Sequence, residues 1–236
     1  RCIKFNNLNF PISRSNEGLD TNKKYIDSIL EQIKHLKELE IINPTDSILD
    51  FGSGQGRLVN GLIYSGTKFD EYYGVDTDVN SINWCNRFLS PYAPNNKFHF
   101  LHLNAFNARY NKQAKGKQQL PLGEKLFGLI FLNSVFSHML IDDIEFYLKE
   151  FLRLIKNDGA IYLTAFIESD VQDMEENPPN YVANSVGALH RVRYNKSFFF
   201  KKIEENGFYV ENFIHQHFLR TKQSVLILKK INANKM

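Results

Sequence analysis

Two acidic residues and a glycine-rich turn lie close together in the first third of the sequence. An apolar run ends at Asp50, and residues 52–56 read Gly-Ser-Gly-Gln-Gly. Because glycine has no Cβ, the backbone of such a turn can approach a ligand closely. A second apolar run ends at Asp76, twenty residues after Gly56. An acid at this spacing can accept hydrogen bonds from ribose hydroxyls, so the pattern predicts a nucleoside-binding site.

The spacing of the glycines indicates which kind of nucleoside the site would bind. Dinucleotide sites use G-x-G-x-x-G and place a pyrophosphate at the start of the following helix. Here the pattern is G-x-G-x-G, and Arg57 follows directly. The Asp50 carboxylate would repel a pyrophosphate and would suit an ammonium or sulfonium group. We therefore expect a nucleoside that carries positive charge.

Alternating strand and helix patterns must position these residues. A helix is predicted from Asp20 or Thr21 to about Glu40, followed by repeated strand–helix units, which indicate a parallel, doubly wound α/β sheet. The last two strands, 208–218 and 224–231, have a short link, which predicts an antiparallel pair. We expect residues 1–19 to be irregular, 107–124 to be an exposed loop, and 167–194 to be a long functional segment.

The composition excludes several classes of protein. The chain has 236 residues, 43% of them hydrophobic, and a formal net charge of +3. The basic residues are scattered, so we expect no nucleic acid as partner. Cys2 and Cys85 have no CxxC partner, which argues against a zinc site or a disulfide framework. No apolar run reaches membrane-spanning length, so we predict no membrane association and a cytoplasmic location.

The motifs resemble those of class I S-adenosylmethionine-dependent methyltransferases. Residues 50–56 resemble their first motif, and Gly74-Val75-Asp76 resembles the strand end whose acid holds the ribose. The resemblance implies S-adenosyl-L-methionine as cofactor. It also implies a Rossmann-like, seven-stranded sheet with order 3-2-1-4-5-7-6, an antiparallel last strand and helices on both faces. Residues 45–236 would form this domain, and residues 1–44 an N-terminal segment with a covering helix.

The same resemblance implies a set of cofactor-binding residues. They are Asp50, Gly52, Ser53, Gly54, Gly56, Arg57, Asp76, Thr77, Asn104, Ala105, Asn133 and Ser134. Two positions depart from the family pattern: Asn104 replaces a frequent aspartate beside the adenine, and Gly128 replaces an acid in the fourth strand. Residues 134–140 and 82–85 also resemble a bacterial subgroup linked to polysaccharide and secondary metabolism. This narrower likeness favours a small-molecule or glycan acceptor.

Four further residues are candidates for binding or activating the acceptor. His138 follows the fourth predicted strand, and a neutral imidazole there suits a general base for O-methylation. Its alternative role is to orient the next helix. His190 and Arg191 could bind an anionic acceptor, although solvated loop charges are the simpler interpretation. Glu168 could bind acceptor hydroxyls.

Two rival functions remain open from the sequence. One is a non-catalytic module that binds S-adenosylmethionine, for which the departures at Asn104 and Gly128 leave room. The other is a nicotinamide-dependent oxidoreductase, against which the glycine spacing and the closing antiparallel pair both argue. The oligomeric state stays open.

Overall fold

The computed structural model describes residues 2–5, 8–12, 21–93, 97–107, 111–182, 185, 187–218 and 221–231. The chain forms two compact units, Arg1–His102 and Leu103–Met236. Among the described residues, none of the helices combines the length and the apolar character that crossing a membrane requires.

The first unit contains a three-stranded parallel sheet, a separate antiparallel pair of strands, and helices. Its strands are β1 (Cys2–Phe5), β2 (Leu8–Pro11), β3 (Ser47–Phe51), β4 (Tyr72–Asp76) and β5 (Phe98–His102). Its helices are α1 (Asn22–Glu38), α2 (Arg57–Tyr64) and α3 (Val79–Phe88). Strand β4 lies between β3 and β5 and is parallel to both, whereas β1 and β2 form a separate antiparallel pair.

The N-terminal helix α1 packs closely on α2. Thr21 caps α1 by accepting a hydrogen bond from the Lys24 backbone amide, as one of the two predicted caps. Its apolar face is buried, and a Cβ added at Gly61 of α2 would lie 1.8 Å from Ile29 Cγ2. The two helix backbones therefore approach each other as closely as a glycine allows.

The second unit contains a mixed sheet. Its strands are β6 (Phe127–Leu132), β7 (Ile155–Glu168), β8 (Met174–Glu176), β9 (Val192–Asn195), β10 (Phe208–Phe218) and β11 (Gln223–Lys230). Its helices are α4 (Ile141–Leu154) and α5 (Lys196–Glu205), with a 3-10 turn at Phe136–His138. Strands β6 and β7 are parallel, and β11 lies antiparallel between β7 and β10.

These pairings confirm the predicted α/β fold class. Within the first unit the order β5-β4-β3 corresponds to the predicted order 3-2-1. Within the second unit the order β6-β7-β11-β10 corresponds to the predicted order 4-5-7-6. The last strand, β11, is the antiparallel one, as predicted.

Two predictions about irregular segments were wrong in part. Residues 2–5 and 8–11 form β1 and β2 instead of irregular chain, while residues 13–20 lie outside the described residues. The segment 167–194 contains β8 and β9, and β9 pairs in parallel with the end of β7. Two short stretches of this segment therefore extend the sheet.

Candidate functional site

The glycine turn after β3 has a backbone that favours glycine. Gly52, Gly54 and Gly56 all have positive φ, at 85°, 51° and 71°. The Gly52 and Ser53 amides donate to the Val75 carbonyl, at 2.8 and 3.0 Å, which ties the turn to β4. The turn leads directly into α2, whose N-cap is Gly56.

Asp76, at the end of β4, is fixed by the backbone of this turn. Its Oδ2 accepts a hydrogen bond from the Gly54 amide at 2.7 Å, and its Oδ1 accepts one from the Asp78 amide at 2.8 Å. Desolvation raises the pKa of the Asp76 carboxyl, and these amides oppose the rise. Each carboxylate oxygen can accept a further hydrogen bond. The predicted ribose-binding acid is thus oriented before any ligand arrives.

Two features of the turn indicate a place for a ligand. The Ser53 hydroxyl is buried and has no hydrogen-bond partner within the described part of the chain. A Cβ added at Gly54 would meet nothing within 4 Å. A buried polar atom without a partner is costly, so it usually marks a missing water, ion or ligand.

Asp50 is buried at the end of β3 and is 3% exposed. Its Oδ2 accepts a hydrogen bond from the Tyr72 hydroxyl at 2.5 Å. Burial raises the pKa of Asp50 to about 7; the Tyr72 hydrogen bond and the Arg57 charge lower it, and the Asp76 charge raises it further. Arg57 therefore acts here as a nearby countercharge. A carboxyl poised in this way gains stability as an anion when a cationic group approaches.

The remaining predicted cofactor residues occupy less enclosed positions. Thr77 follows Asp76, and its carbonyl lies 3.2 Å from His102 Nε2. In the second unit, Asn104 is exposed and its Oδ1 accepts from Asn111 Nδ2 at 3.2 Å, while Ala105 is buried. The neighbouring Phe106 is 53% exposed, so it is not a core residue.

Asn133 and Ser134 lie directly after β6, and Ser134 belongs to a polar network. Ser134 has φ 58°, and its amide donates to Thr164 Oγ1 at 2.8 Å. The Ser134 and Thr164 hydroxyls both donate to Gln223 Oε1, at 3.1 and 2.6 Å. These bonds join the ends of β6, β7 and β11 and hold a strained backbone at the carboxyl edge of the sheet.

His138 is half-buried and has a defined tautomer. Its Nδ1 lies 3.1 Å from the Leu189 carbonyl oxygen. Since a carbonyl only accepts, Nδ1 carries the proton, and Nε2 of the neutral ring carries the lone pair. Leu189 in turn donates its amide to Glu176 Oε1 at 2.7 Å, so the imidazole is tied to the β8–β9 segment.

Glu168, at the end of β7, lies in a cluster of polar side chains. Its Oε1 accepts from the Tyr181 hydroxyl at 2.7 Å and from Gln216 Nε2 at 2.9 Å, and its Oε2 accepts from His215 Nε2 at 2.8 Å. Burial raises the pKa of Glu168, but these hydrogen bonds outweigh it, so the pKa lies below its ordinary value. Glu168 is therefore a carboxylate at neutral pH.

The predicted anion-binding pair takes a less suitable arrangement. The Arg191 amide donates to Asn177 Oδ1 at 3.0 Å, and its NH1 donates to Ser185 Oγ at 3.0 Å. His190 is half-buried beside it. These contacts bind the segment to itself.

The comparisons with known proteins agree with this geometry. Residues 49–163, a little under half the chain, match the family model described as a methyltransferase domain. The match spans both motif strands, the glycine turn and the 3-10 turn of His138. Over these residues the chain is similar to methyltransferases, which agrees with the resemblance of its motifs to class I S-adenosylmethionine-dependent enzymes.

Solved structures with the same fold include two S-adenosylmethionine-dependent methyltransferases. The one from Aquifex aeolicus is 15% identical, with 90% of this chain and 95% of that chain covered and a TM-score of 0.58. The one from Clostridium acetobutylicum is also 15% identical, with coverages of 90% and 94% and a TM-score of 0.55. The [4+2]-cyclase SpnF is 12% identical, with coverages of 86% and 81% and a TM-score of 0.60. At these identities the likeness concerns the fold.

The cofactor of this methyltransferase is S-adenosylmethionine, and the first unit fits it. Asp76 offers oriented carboxylate oxygens, Gly54 leaves open space, and Ser53 has an unsatisfied buried hydroxyl. Asp50 offers a carboxyl whose charge a cationic group would stabilise. The donor set thus matches a nucleoside with a charged amino-acid tail.

Sequence reasoning missed several residues of this methyltransferase that contact the predicted ones. They are Tyr72, Tyr181, His215, Gln216 and Gln223. For Tyr72 a signal existed, since it begins the strand that ends at Asp76. The other four make their contacts through tertiary structure that no local pattern indicates.

Proposed function

We propose that this methyltransferase methylates a hydroxyl group of a small molecule or glycan. The observation that most strongly supports binding of S-adenosylmethionine is the hydrogen bond from the Gly54 amide to Asp76 Oδ2 at 2.7 Å. It fixes the acid beside an open turn whose Ser53 hydroxyl lacks a partner in the described residues. When bound, S-adenosylmethionine supplies an electrophilic methyl group on a sulfonium sulfur.

The residues of the first unit would bind and orient this cofactor. Asp76 would accept hydrogen bonds from the ribose, and Thr77 lies next to it. Asp50 would stabilise the positive end of the amino-acid tail, with Ser53 and the amides of Gly52, Gly54 and Gly56 around it. In the second unit we propose Asn104, Ala105, Asn133 and Ser134 as further contacts. Alignment and exclusion of water account for most of the rate in such a displacement.

His138 would accept the proton of the acceptor hydroxyl. Its Nδ1–H is held by the Leu189 carbonyl, so the basic nitrogen of the neutral ring is Nε2. This is the tautomer that a general base needs. Glu168, His190 and Arg191 are the proposed contacts to the acceptor.

Residues 1–44 are proposed to cover the cofactor side of the first unit. Helix α1 packs on α2, and Asn60 Nδ2 of α2 donates to the Asn9 carbonyl at 3.3 Å. The predicted cytoplasmic location stays a prediction.

Calorimetric titration with S-adenosylhomocysteine, with NADH in parallel, tests this function. We expect micromolar binding of S-adenosylhomocysteine and no binding of NADH. Asp76→Ala should weaken the affinity by well over tenfold, about 1.4 kcal/mol or more. His138→Gln is the control, because the glutamine amide can still donate to the Leu189 carbonyl. The affinity of this variant for S-adenosylhomocysteine should not change.

Each contrary result has a defined meaning. Binding of NADH alone would favour the oxidoreductase. Unchanged affinity in Asp76→Ala would contradict the proposed ribose contact. Tight binding without turnover on any acceptor would favour the non-catalytic module, and the cyclase SpnF is a reminder that this fold carries other activities.

A further inference from the structure

The polar cluster around Glu168 has a geometry that a regular strand would not produce. His215 and Gln216 are consecutive residues of β10, yet both donate to the same carboxylate. In a regular strand, consecutive side chains point to opposite faces. Here the pairing of β10 with β11 shifts between Ile214 and Phe218. The bulge turns both side chains towards Glu168.

The backbone at this bulge is strained. Gln216 has φ 45°, a conformation that favours glycine, and its amide donates to Ser224 Oγ at 3.0 Å. A non-glycine residue in this region is strained and persists where the surroundings hold it, often at functional sites. The strain and the shared carboxylate point to the same conclusion, that the side-chain cluster has a purpose beyond packing.

The cluster lies at the edge of the sheet where this fold class binds ligands. Glu168 is the last residue of β7, at the carboxyl end of a parallel strand. The Glu168 side chain is 15% exposed and that of His215 is 52% exposed. Phe166 and Tyr181 contact edge to face, at 5.6 Å between ring centroids, and fix the tyrosine below this surface. Hydrogen bonds therefore hold these side chains together, and solvent reaches part of the cluster.

The direction of the hydrogen bonds restricts what the cluster can bind. An ionised carboxylate only accepts, so Tyr181, His215 and Gln216 each direct a donor at Glu168. Gln216 Oε1 and the Tyr181 oxygen remain as acceptors, as does His215 Nδ1 when the ring is neutral. A ligand at this surface must therefore bring donors, as hydroxyl groups do.

The surrounding charges disfavour an anion. Residues 168–176 include Asp170, Asp173, Glu175 and Glu176 besides Glu168. Arg193 is committed to Glu175, with Nε and NH2 at 2.9 and 2.5 Å from Oε2, and its guanidinium lies 4.7 Å from the centroid of Tyr181. A ligand that carries hydroxyl donors and no negative charge therefore suits the cluster best.

We propose that Glu168, Tyr181, His215 and Gln216 form a subsite for the hydroxyl groups of a neutral, sugar-like acceptor, and that this subsite rejects anionic acceptors. The proposal rests on the proposed function for its place beside methyl transfer. It moves the acceptor contacts from His190 and Arg191 to the bulge of β10.

Saturation-transfer NMR on the full chain tests the subsite without any turnover. The probes are methyl α-D-glucopyranoside and D-glucuronate. We expect signals from the neutral glycoside and much weaker ones from the anionic sugar. Glu168→Gln should lower the affinity for the glycoside about tenfold, since it replaces a charged acceptor with an amide. Glu211→Gln, the same change at an exposed position of β10, should leave it unchanged.

A second variant separates binding from folding. Gln216→Gly removes the side chain and relieves the positive φ, so its thermal unfolding midpoint should not fall. Its glycoside affinity should nevertheless fall about as far as that of Glu168→Gln. A purely structural role would move the unfolding midpoint instead.

The inference is overturned by any of three results: no glycoside signal, binding of glucuronate at least as strong, or wild-type binding in both variants. S-adenosylhomocysteine titration of the same samples identifies which proposal fails. If the wild type does not bind S-adenosylhomocysteine, the proposed function is contradicted. If it binds S-adenosylhomocysteine but not the glycoside, only the proposed subsite is contradicted.

Discussion

Gly54 and Gly56 are two residues apart in the same turn, but an added side chain would meet different surroundings. At Gly54 a Cβ would enter open space, whereas at Gly56 it would lie 2.3 Å from Leu89 Cδ1. Gly54→Ala should therefore lose only about 1–2 kcal/mol of stability, from its positive φ, while its affinity for S-adenosylhomocysteine falls sharply. Gly56→Ala should lose about 2–4 kcal/mol, because overpacking adds to the strain.

Denaturant unfolding and calorimetric titration, applied to both variants, check this pair. The informative comparison is the ratio of affinity loss to stability loss, which should be larger for Gly54→Ala. If Gly54→Ala bound S-adenosylhomocysteine as tightly as the wild type, the open space at Gly54 would not be the cofactor cradle.

At the level of single residues, sequence spacing predicted the position of Asp76 at a strand end and of the glycines in a turn, because local chain geometry determines both. Asp76 must follow its strand, and the turn must precede its helix. It could not predict that the Tyr72 hydroxyl contacts Asp50, since that contact depends on the register between β3 and β4. It also missed His215 and Gln216, because a bulge in β10 brings them to Glu168.

The predicted loop at 107–124 is fastened to helix α4 in its described part. Arg153 donates to the Leu122 and Leu120 carbonyls, at 2.7 and 3.1 Å, and to Glu150 Oε2 at 2.9 Å. The Leu120 amide also donates to Glu150, and the Leu120 side chain is buried. The C-terminal end of this loop is thus part of the packed structure.

Arg153→Ala should release this end of the loop. It leaves the buried carboxylate of Glu150 without its arginine, so we expect a loss of about 1–3 kcal/mol in unfolding free energy. Limited trypsin digestion should become faster at Lys115 and Lys117. Lys149→Ala, an exposed position on the same helix, is the control. Equal digestion rates for the two variants would mean that Arg153 does not hold the loop.

Element prediction succeeded where a segment carries its own periodic signal. Helix α1 and the closing strands β10 and β11 were expected within a few residues of their observed bounds. Strands β8 and β9 have three and four residues, too few for a period to appear, and they exist because β9 pairs with the end of β7. Tertiary pairing therefore produces two short strands in a segment whose sequence predicts none.

At the scale of the whole molecule, Asp50 couples folding stability to pH. Its pKa is 3.8 in its ordinary state and about 7 in the folded protein, with burial as the main cause. A raised folded pKa means that its contribution to stability is fully present below about pH 3.8 and is lost as the pH rises through 7. Near pH 8 the buried charge should cost about 4 kcal/mol relative to the protonated form.

Asp50→Asn removes this titration while its amide oxygen can still accept the Tyr72 hydrogen bond. The variant should therefore be more stable than the wild type, and its advantage should grow by about 2–3 kcal/mol between pH 5 and pH 8. Urea unfolding at the two pH values measures it, and the difference between the proteins cancels groups such as Asp76 and Glu168 that titrate in both. A constant difference would mean that Asp50 titrates normally. A growing advantage together with weakened S-adenosylhomocysteine binding would establish that this molecule keeps a destabilising carboxyl because its cofactor needs the charge.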